Sequence, residues 1–323
     1  YKGGVDWRAQ RALVRYYVEA GVDGLAVGVH TTQFALHHDP RLLRELWRVV
    51  AAEASAAGES LTLVAGVCGD EAQAVEEADL AASLGYSFAL LCGYGMTDRS
   101  EPALLRRAVR VGQVLPTVGF YMQESVGGTR LSREFWTRLA DLHSCAAVKA
   151  APFDRYRTRD VAVGILMSDR WQEVVLLTGN DDNIAVDLVS PHRLVVGGQQ
   201  REVWIEGGLL GQFAVGARAA VDLVRNAKAI RASGATSADY LALGAELTQV
   251  NAAVFDVRNN FAGCVAGVNE VLRQQGFAST SRCLDRVDAL SAGQAAEIRD
   301  CRERFPQLLD EEFVRSNLER WRN

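Results

Sequence analysis

From Asp6 to Ile230 the chain alternates short apolar runs with stretches of helical period, and this alternation constrains the fold more than any other feature. Asp6 to Ala20 carries Leu13, Val14, Tyr17 and Val18 on one side, and Gly21 follows as a stop. Leu25-Ala26-Val27-Gly28-Val29 is a continuous apolar run, as of a buried strand. Asp39-Pro40 opens a helix with Leu43, Leu46, Trp47 and Val50 on its apolar face: Asp accepts from free N–H groups and Pro suits the first turn. Leu61 to Val67, Phe88 to Cys92, Thr117 to Tyr121, Cys145 to Ala151, Val174 to Thr178 and Val203 to Ile205 read as further strands. Helices fall between them. Asp70 with Gln73 forms a capping box for one that stops near Gly85, and Ser100 starts the next. Ser132 to Leu142, Arg157 to Met167 and Val215 to Ile230 follow.

Near-continuous apolar strands separated by helices mean a parallel sheet covered by helices. The expected fold is α/β, a (β/α)8 TIM barrel. Seven strands are readable and the chain opens with a helix, so the first barrel strand is expected upstream of residue 1. An open doubly wound sheet competes, but its Gly-x-Gly-x-x-Gly phosphate loop is absent. Beyond residue 235 the strands stop. Ala238 to Phe255, Ala262 to Gln275 and Ala292 to Trp321 read as helices, giving a barrel over 1–234 and a C-terminal helical extension over 235–323.

Composition excludes several classes. A net charge of −5 and a pI near 5.7 point to neither nucleic acid nor an anionic membrane. No apolar run reaches spanning length and no signal peptide is visible. The six cysteines are scattered without a Cys-x-x-Cys pair, so no metal site is expected, and a reduced, cytoplasmic setting fits. No cofactor motif is found.

Of the 35 Lys plus Arg, only Lys2, Lys149 and Lys228 are lysine. Arg serves wherever a surface cation is needed, so Lys149 inside Cys145-Ala146-Ala147-Val148-Lys149-Ala150-Ala151-Pro152-Phe153 stands out. Burial favours the neutral amine, which is a nucleophile able to form a Schiff base with a keto acid. The alternative is a lysine that snorkels at a strand end or pairs with Asp154. In barrels the active site forms where strands end. The other strand ends offer His30-Thr31-Thr32, Gly69-Asp70, Gly93-Tyr94-Gly95, Tyr121-Met122-Gln123-Glu124, Gly179-Asn180-Asp181-Asp182 and Glu206-Gly207-Gly208. Hydroxyls and N–H groups of the first set suit a carboxylate, and Tyr121 is either a core ring or a proton relay.

Three stretches in this order resemble the dihydrodipicolinate synthase/N-acetylneuraminate lyase superfamily of class I aldolases. Val27-Gly28-Val29-His30-Thr31-Thr32-Gln33-Phe34 is similar to its Gly-Gly-Thr-Thr-Gly-Glu-Phe loop. Phe120-Tyr121 is similar to its Tyr-Asn strand end, and Val148-Lys149-Ala150-Ala151-Pro152-Phe153-Asp154 to Ile-Lys-Glu-Ala-Ser-Gly-Asp. The Tyr121 to Lys149 separation also matches. Gly179-Asn180-Asp181 and Ile205 to Gly208 are weaker echoes.

The resemblance implies a lyase acting on pyruvate or another 2-keto acid. Lys149 would form the imine and Tyr121 would shuttle protons. Thr31, with Thr32, His30, Gly179 and Gly207 around it, would bind substrate. No cofactor is implied, and a homodimer or homotetramer is. Departures from the family pattern point away from dihydrodipicolinate synthase itself. His30 replaces the first Thr, Gly95 replaces a tyrosine that completes a relay across a subunit contact, and Val126 falls where a substrate-binding Arg is expected, with Arg130 displaced. His30 is a candidate to replace the lost relay, whereas Glu124 and Glu206 read as surface-loop carboxylates. A Schiff-base dehydratase of a sugar acid and a non-catalytic keto-acid-binding relative are the competing functions.

Overall fold

The computed structural model describes residues 4–58 and 61–323. Helix α1 (Trp7–Ala20) begins where the Asp6 carboxylate accepts from Ala9 N at 3.0 Å and ends at Gly21, whose φ of +82° favours glycine. The strands that follow are β1 (Gly24–Val27), β2 (Thr62–Val67), β3 (Phe88–Leu91), β4 (Thr117–Met122), β5 (Cys145–Ala151), β6 (Val175–Thr178) and, later in the chain, β9 (Ile205–Gly208). They form one parallel, curled sheet of seven strands in the order β1-β2-β3-β4-β5-β6-β9. Helices α2 (Pro40–Ala56), α3 (Glu71–Ser83), α4 (Glu101–Val111), α5 (Arg133–Ala140) and α6 (Arg155–Met167) connect the first six strands and cover the outer face.

Side chains alternate across a strand, and the sheet's two faces separate accordingly. Val64, Cys68, Leu90, Cys92, Val118, Met122 and Ala147 pack together in the interior, with Phe120 and Leu177 against them. Tyr121, Val148, Ala150 and Leu176 face outward into the helical shell with Trp136 and Leu139.

The stretch after β6 is ordered. It holds a short helix, α7 (Ile184–Val189), and an antiparallel hairpin, β7 (His192–Val196) with β8 (Gln199–Val203). Gly197 and Gly198, both at positive φ, make the turn. Val203 therefore belongs to the hairpin, and the last barrel strand starts at Ile205 rather than Val203. The Asp70–Gln73 capping box is not formed. Asp70 accepts instead from Thr97 N and Oγ1 (2.8 and 2.7 Å), and Gln73 donates to Glu77 at 2.8 Å.

Helix α8 (Ala217–Ser233) leads into α9 (Ala238–Val254) and α10 (Cys264–Gln274). The single helix expected over Ala292 to Trp321 is two, α11 (Gln294–Arg304) and α12 (Glu311–Arg322). Pro306 lacks the N–H to continue the first, and Asp310 turns the chain at φ +56°. These helices share one apolar core with the shell of the barrel. At their junction the buried Asp310 carboxylate accepts from Tyr16 Oη (2.7 Å), Arg218 N (2.7 Å) and Ala219 N (2.9 Å), tying the N-termini of α8 and α12 to α1. Asp310→Ala leaves those three donors unpaired. It is expected to cost about 3 kcal/mol in urea unfolding, whereas Tyr16→Phe costs about 1 kcal/mol.

Candidate functional site

Lys149 projects into the interior from the fifth residue of β5. In register it lies between Phe120 of β4 and Leu177 of β6, and Leu177 is followed by Gly207 of β9. Its side chain is buried, 6% exposed, and its Nζ lies 4.2 Å from the centre of the Phe120 ring. Gly179 makes room for it: a Cβ there would fall 2.7 Å from Lys149 Cε. Burial lowers the amine's pKa to about 8, against the opposing pull of Asp181 and Cys92. Asp154 is not its partner; that carboxylate caps α6 through Arg157 N at 3.0 Å.

Two other titratable groups lie within the field of the amine. His30 is half-buried in a 3₁₀ turn, His30–Thr32, with its ring 5.7 Å from Phe34. Burial, then the charge of Lys149, lower its pKa to about 4, so its imidazole is neutral at pH 7. Asp181 is buried in the loop after β6. Burial raises its pKa to about 7, against the hydrogen bond from Gln212 N (2.9 Å) and the field of Lys149. Asn251 of α9 holds the same loop by donating to Asp181 O at 2.7 Å. The barrel's Gln212 thus holds the carboxylate and the C-terminal helix α9 holds the backbone of the same residue. Asp181 stood in the sequence only as part of a strand-end set; its burial was not readable there.

Tyr121 is not beside the amine. It faces the shell, with its ring 5.2 Å from Trp136 and its buried hydroxyl toward Arg157. Phe120 takes the interior position next to Lys149. The cause is a register irregularity: Thr117 pairs with Cys145 but Val118 with Ala147, so β5 carries one extra residue below Lys149. Counting along the sequence therefore selects the neighbour on the wrong face.

Thr32 is occupied by its own turn, its hydroxyl accepting from Val29 N (2.8 Å) and donating to Val29 O (3.0 Å). Thr31 is free of this duty and faces Gly211, where a Cβ would meet Thr31 Cγ2 at 3.1 Å and the Phe255 ring at 2.6 Å. Gly207 shares the interior row with Lys149, and no atom approaches its Cβ position closer than Leu177 at 3.9 Å. The backbone at Gly95 has a φ of +75°, which disfavours any larger residue there. Tyr94 stacks on Phe34 with ring centres 4.8 Å apart, and its hydroxyl lies 3.3 Å from His38 Nε2. Glu124 pairs with Arg157 and Glu206 with Arg231, so both are engaged away from the amine. Arg130 is exposed.

One buried pair escaped the sequence reading. His37 Nδ1 lies 2.9 Å from Glu77 Oε1 and Nε2 lies 2.7 Å from Gly28 O, while Glu77 also accepts from Cys68 N at 2.8 Å. It pins the loop that carries His30 and Thr31 onto α3. No motif marks it, because the partners are 40 residues apart.

The barrel interior thus holds a buried amine of lowered pKa, a carboxyl near neutral pKa and a neutral imidazole. Two outcomes follow. Reaction of Lys149 with a small keto acid, trapped by borohydride, is expected to accelerate with pH through about 8 as the amine loses its proton. Gly179→Ala is expected to slow trapping by more than about tenfold, since overpacking here displaces the amine itself.

No family model matches the chain, and no curated protein matches its sequence. Solved structures do match its fold. The prophage protein YagE from E. coli K12, of the dihydrodipicolinic acid synthase family and solved in complex with pyruvate, is 18% identical with a TM-score of 0.72 over 94% of each chain. A dihydrodipicolinate synthase from Bacillus anthracis is 16% identical with a TM-score of 0.73, again over 94% of each chain. N-acetylneuraminate lyase from Fusobacterium nucleatum is 15% identical with a TM-score of 0.71, also over 94% of each. No described helix is long and apolar enough to cross a membrane. By fold, the chain belongs with the dihydrodipicolinate synthase and N-acetylneuraminate lyase structures, a (β/α)8-type barrel with a C-terminal helical extension.

Proposed function

We propose that the chain is a Schiff-base lyase of this superfamily acting on pyruvate or another 2-keto acid. The observation that carries the reading is the buried amine of Lys149 in the barrel interior, with its pKa lowered by desolvation. The fold it shares with a protein solved in complex with pyruvate supports the substrate class.

In this reading the neutral amine attacks the keto carbon, and water leaves to give an iminium. A base then takes the proton of the hydroxyl two carbons from the former keto carbon; the bond between that carbon and its neighbour next to the iminium breaks, the electron pair forms the enamine, and the distal fragment leaves as an aldehyde. A proton added to the enamine carbon regenerates an iminium, which water hydrolyses to release the keto acid and restore the amine. Thr31 and neighbouring N–H groups bind the substrate carboxylate, with His30 and the space at Gly207 around it, while Gly179 makes room for the amine. Phe120 cannot carry a proton, so the transfers fall to Asp181, whose raised pKa lets it both accept and donate near neutral pH. Assembly into a homodimer or homotetramer belongs to the same proposal.

Phe120 also favours a second reading, a relative that binds a keto acid as an imine without turning it over. A Schiff-base dehydratase of a sugar acid would use the same lysine and differ in its products. Borohydride reduction with pyruvate should leave an adduct on Lys149, and Lys149→Arg should leave none, because a guanidinium cannot form the imine. Across a panel of 2-keto acids, the true substrate should turn over. Asp181→Asn should lower that turnover by roughly 10²–10⁴-fold while the adduct persists, and Tyr121→Phe should leave both unchanged. Adduct formation without turnover of any keto acid supports the binding relative. No adduct at all overturns the Schiff-base reading.

A further inference from the structure

Between β3, β4, α4 and α5 lies a partly open cavity of about 50 Å³, room for a few waters or a small organic acid. Leu104, Leu131, Phe135 and Leu139 give it apolar walls, and Arg99 and Arg107 bring two guanidinium groups. Gly119 forms part of the floor, where a Cβ would fall 2.6 Å from Leu139 Cδ2.

Arg107 is the unusual member. It is 2% exposed. Its hydrogen bond is from Nη2 to Val67 O at 2.8 Å, and its Nε is buried with no partner among the described residues. The acidic groups whose field reaches it are committed elsewhere. Asp70 accepts from Thr97 N and Oγ1, and Glu77 accepts from Cys68 N and Gln73 Nε2 and meets His37. The field of Asp70 and Glu77 favours its charge, but neither carboxylate hydrogen-bonds it, and a guanidinium keeps its proton when buried, so its unpaired donors are open to an anion's oxygens. Its planar fork matches a carboxylate, and the surrounding leucines and phenylalanine match an apolar body. Arg99 sits at the rim, its Nη1 donating to Gly127 O at 2.7 Å and holding the 127–131 segment against the cavity.

We propose that this cavity binds a small organic carboxylate, its charged end on Arg107 and its apolar end against Leu104, Leu131 and Phe135, separately from the Lys149 chamber. Phe120 and Met122 also line the cavity, but Lys149 does not, so the site does not depend on any reaction at Lys149.

Isobutyrate is the probe, since it carries the carboxylate and a branched body but no keto group to form an imine. Isobutyramide is its neutral match. Titration calorimetry should show saturable binding of isobutyrate and none of the amide. Arg107→Met should weaken isobutyrate by roughly ten- to a hundredfold, the size of a lost charge-assisted hydrogen bond. Leu131→Trp, which fills the cavity and leaves the guanidinium in place, should abolish binding, while Lys149→Arg should retain it. Circular dichroism of each variant should match the parent. Equal binding of acid and amide, or no binding of either, overturns the proposal. So does binding that survives both Arg107→Met and Leu131→Trp, or that disappears in Lys149→Arg.

Discussion

The desolvated ammonium of Lys149 is the constraint on which the rest of the site depends. A lysine inside a barrel is tolerated only if its surroundings allow the charge to leave or to be shared. Here they do both. Phe120 offers a ring face, Asp181 offers a buried carboxyl whose own pKa is raised, and Gly179 leaves the volume the side chain occupies. None of these works alone. Asp181 is placed by Gln212 N and by Asn251 from α9, so the helices after the barrel take part in setting the electrostatics of its interior. The buried Asp310 junction ties those helices back to α1.

Much of the architecture could be read before any coordinates. Six of the seven sheet strands fall on the apolar runs that mark them, because strands buried on both faces carry a simple signal. Lys149 was legible for a related reason: a lone lysine in such a run contradicts the composition around it. What could not be read is as instructive. The one-residue irregularity in β5 exchanges Tyr121 for Phe120 at the amine, and spacing arguments assume a ladder without bulges. The β7–β8 hairpin is polar and half-exposed, so its strands lack the apolar pattern. The split between α11 and α12 falls at Pro306, inside the stretch read as one helix. His37–Glu77 and Arg107 are long-range matters of packing that no local motif encodes.

The exchange at position 120 changes the chemistry available. A phenol beside an imine offers a proton, whereas a phenyl ring offers only polarisability and exclusion of water. In the proposed reading, proton handling rests on Asp181, with His30 kept neutral by its own burial and by the nearby amine. That reading pairs a Schiff-base nucleophile with an unusual acid–base partner.

The state of that nucleophile can be measured directly. With only three lysines in the chain, selective ¹³C labelling at lysine Cε gives a spectrum simple enough to titrate residue by residue, and Lys149→Arg assigns its signal by deletion. The account predicts one resonance with a midpoint near 8, removed in that variant. If the Lys149 resonance instead titrates in the ordinary lysine range around 10.4, the amine is not desolvated as described and the central claim fails.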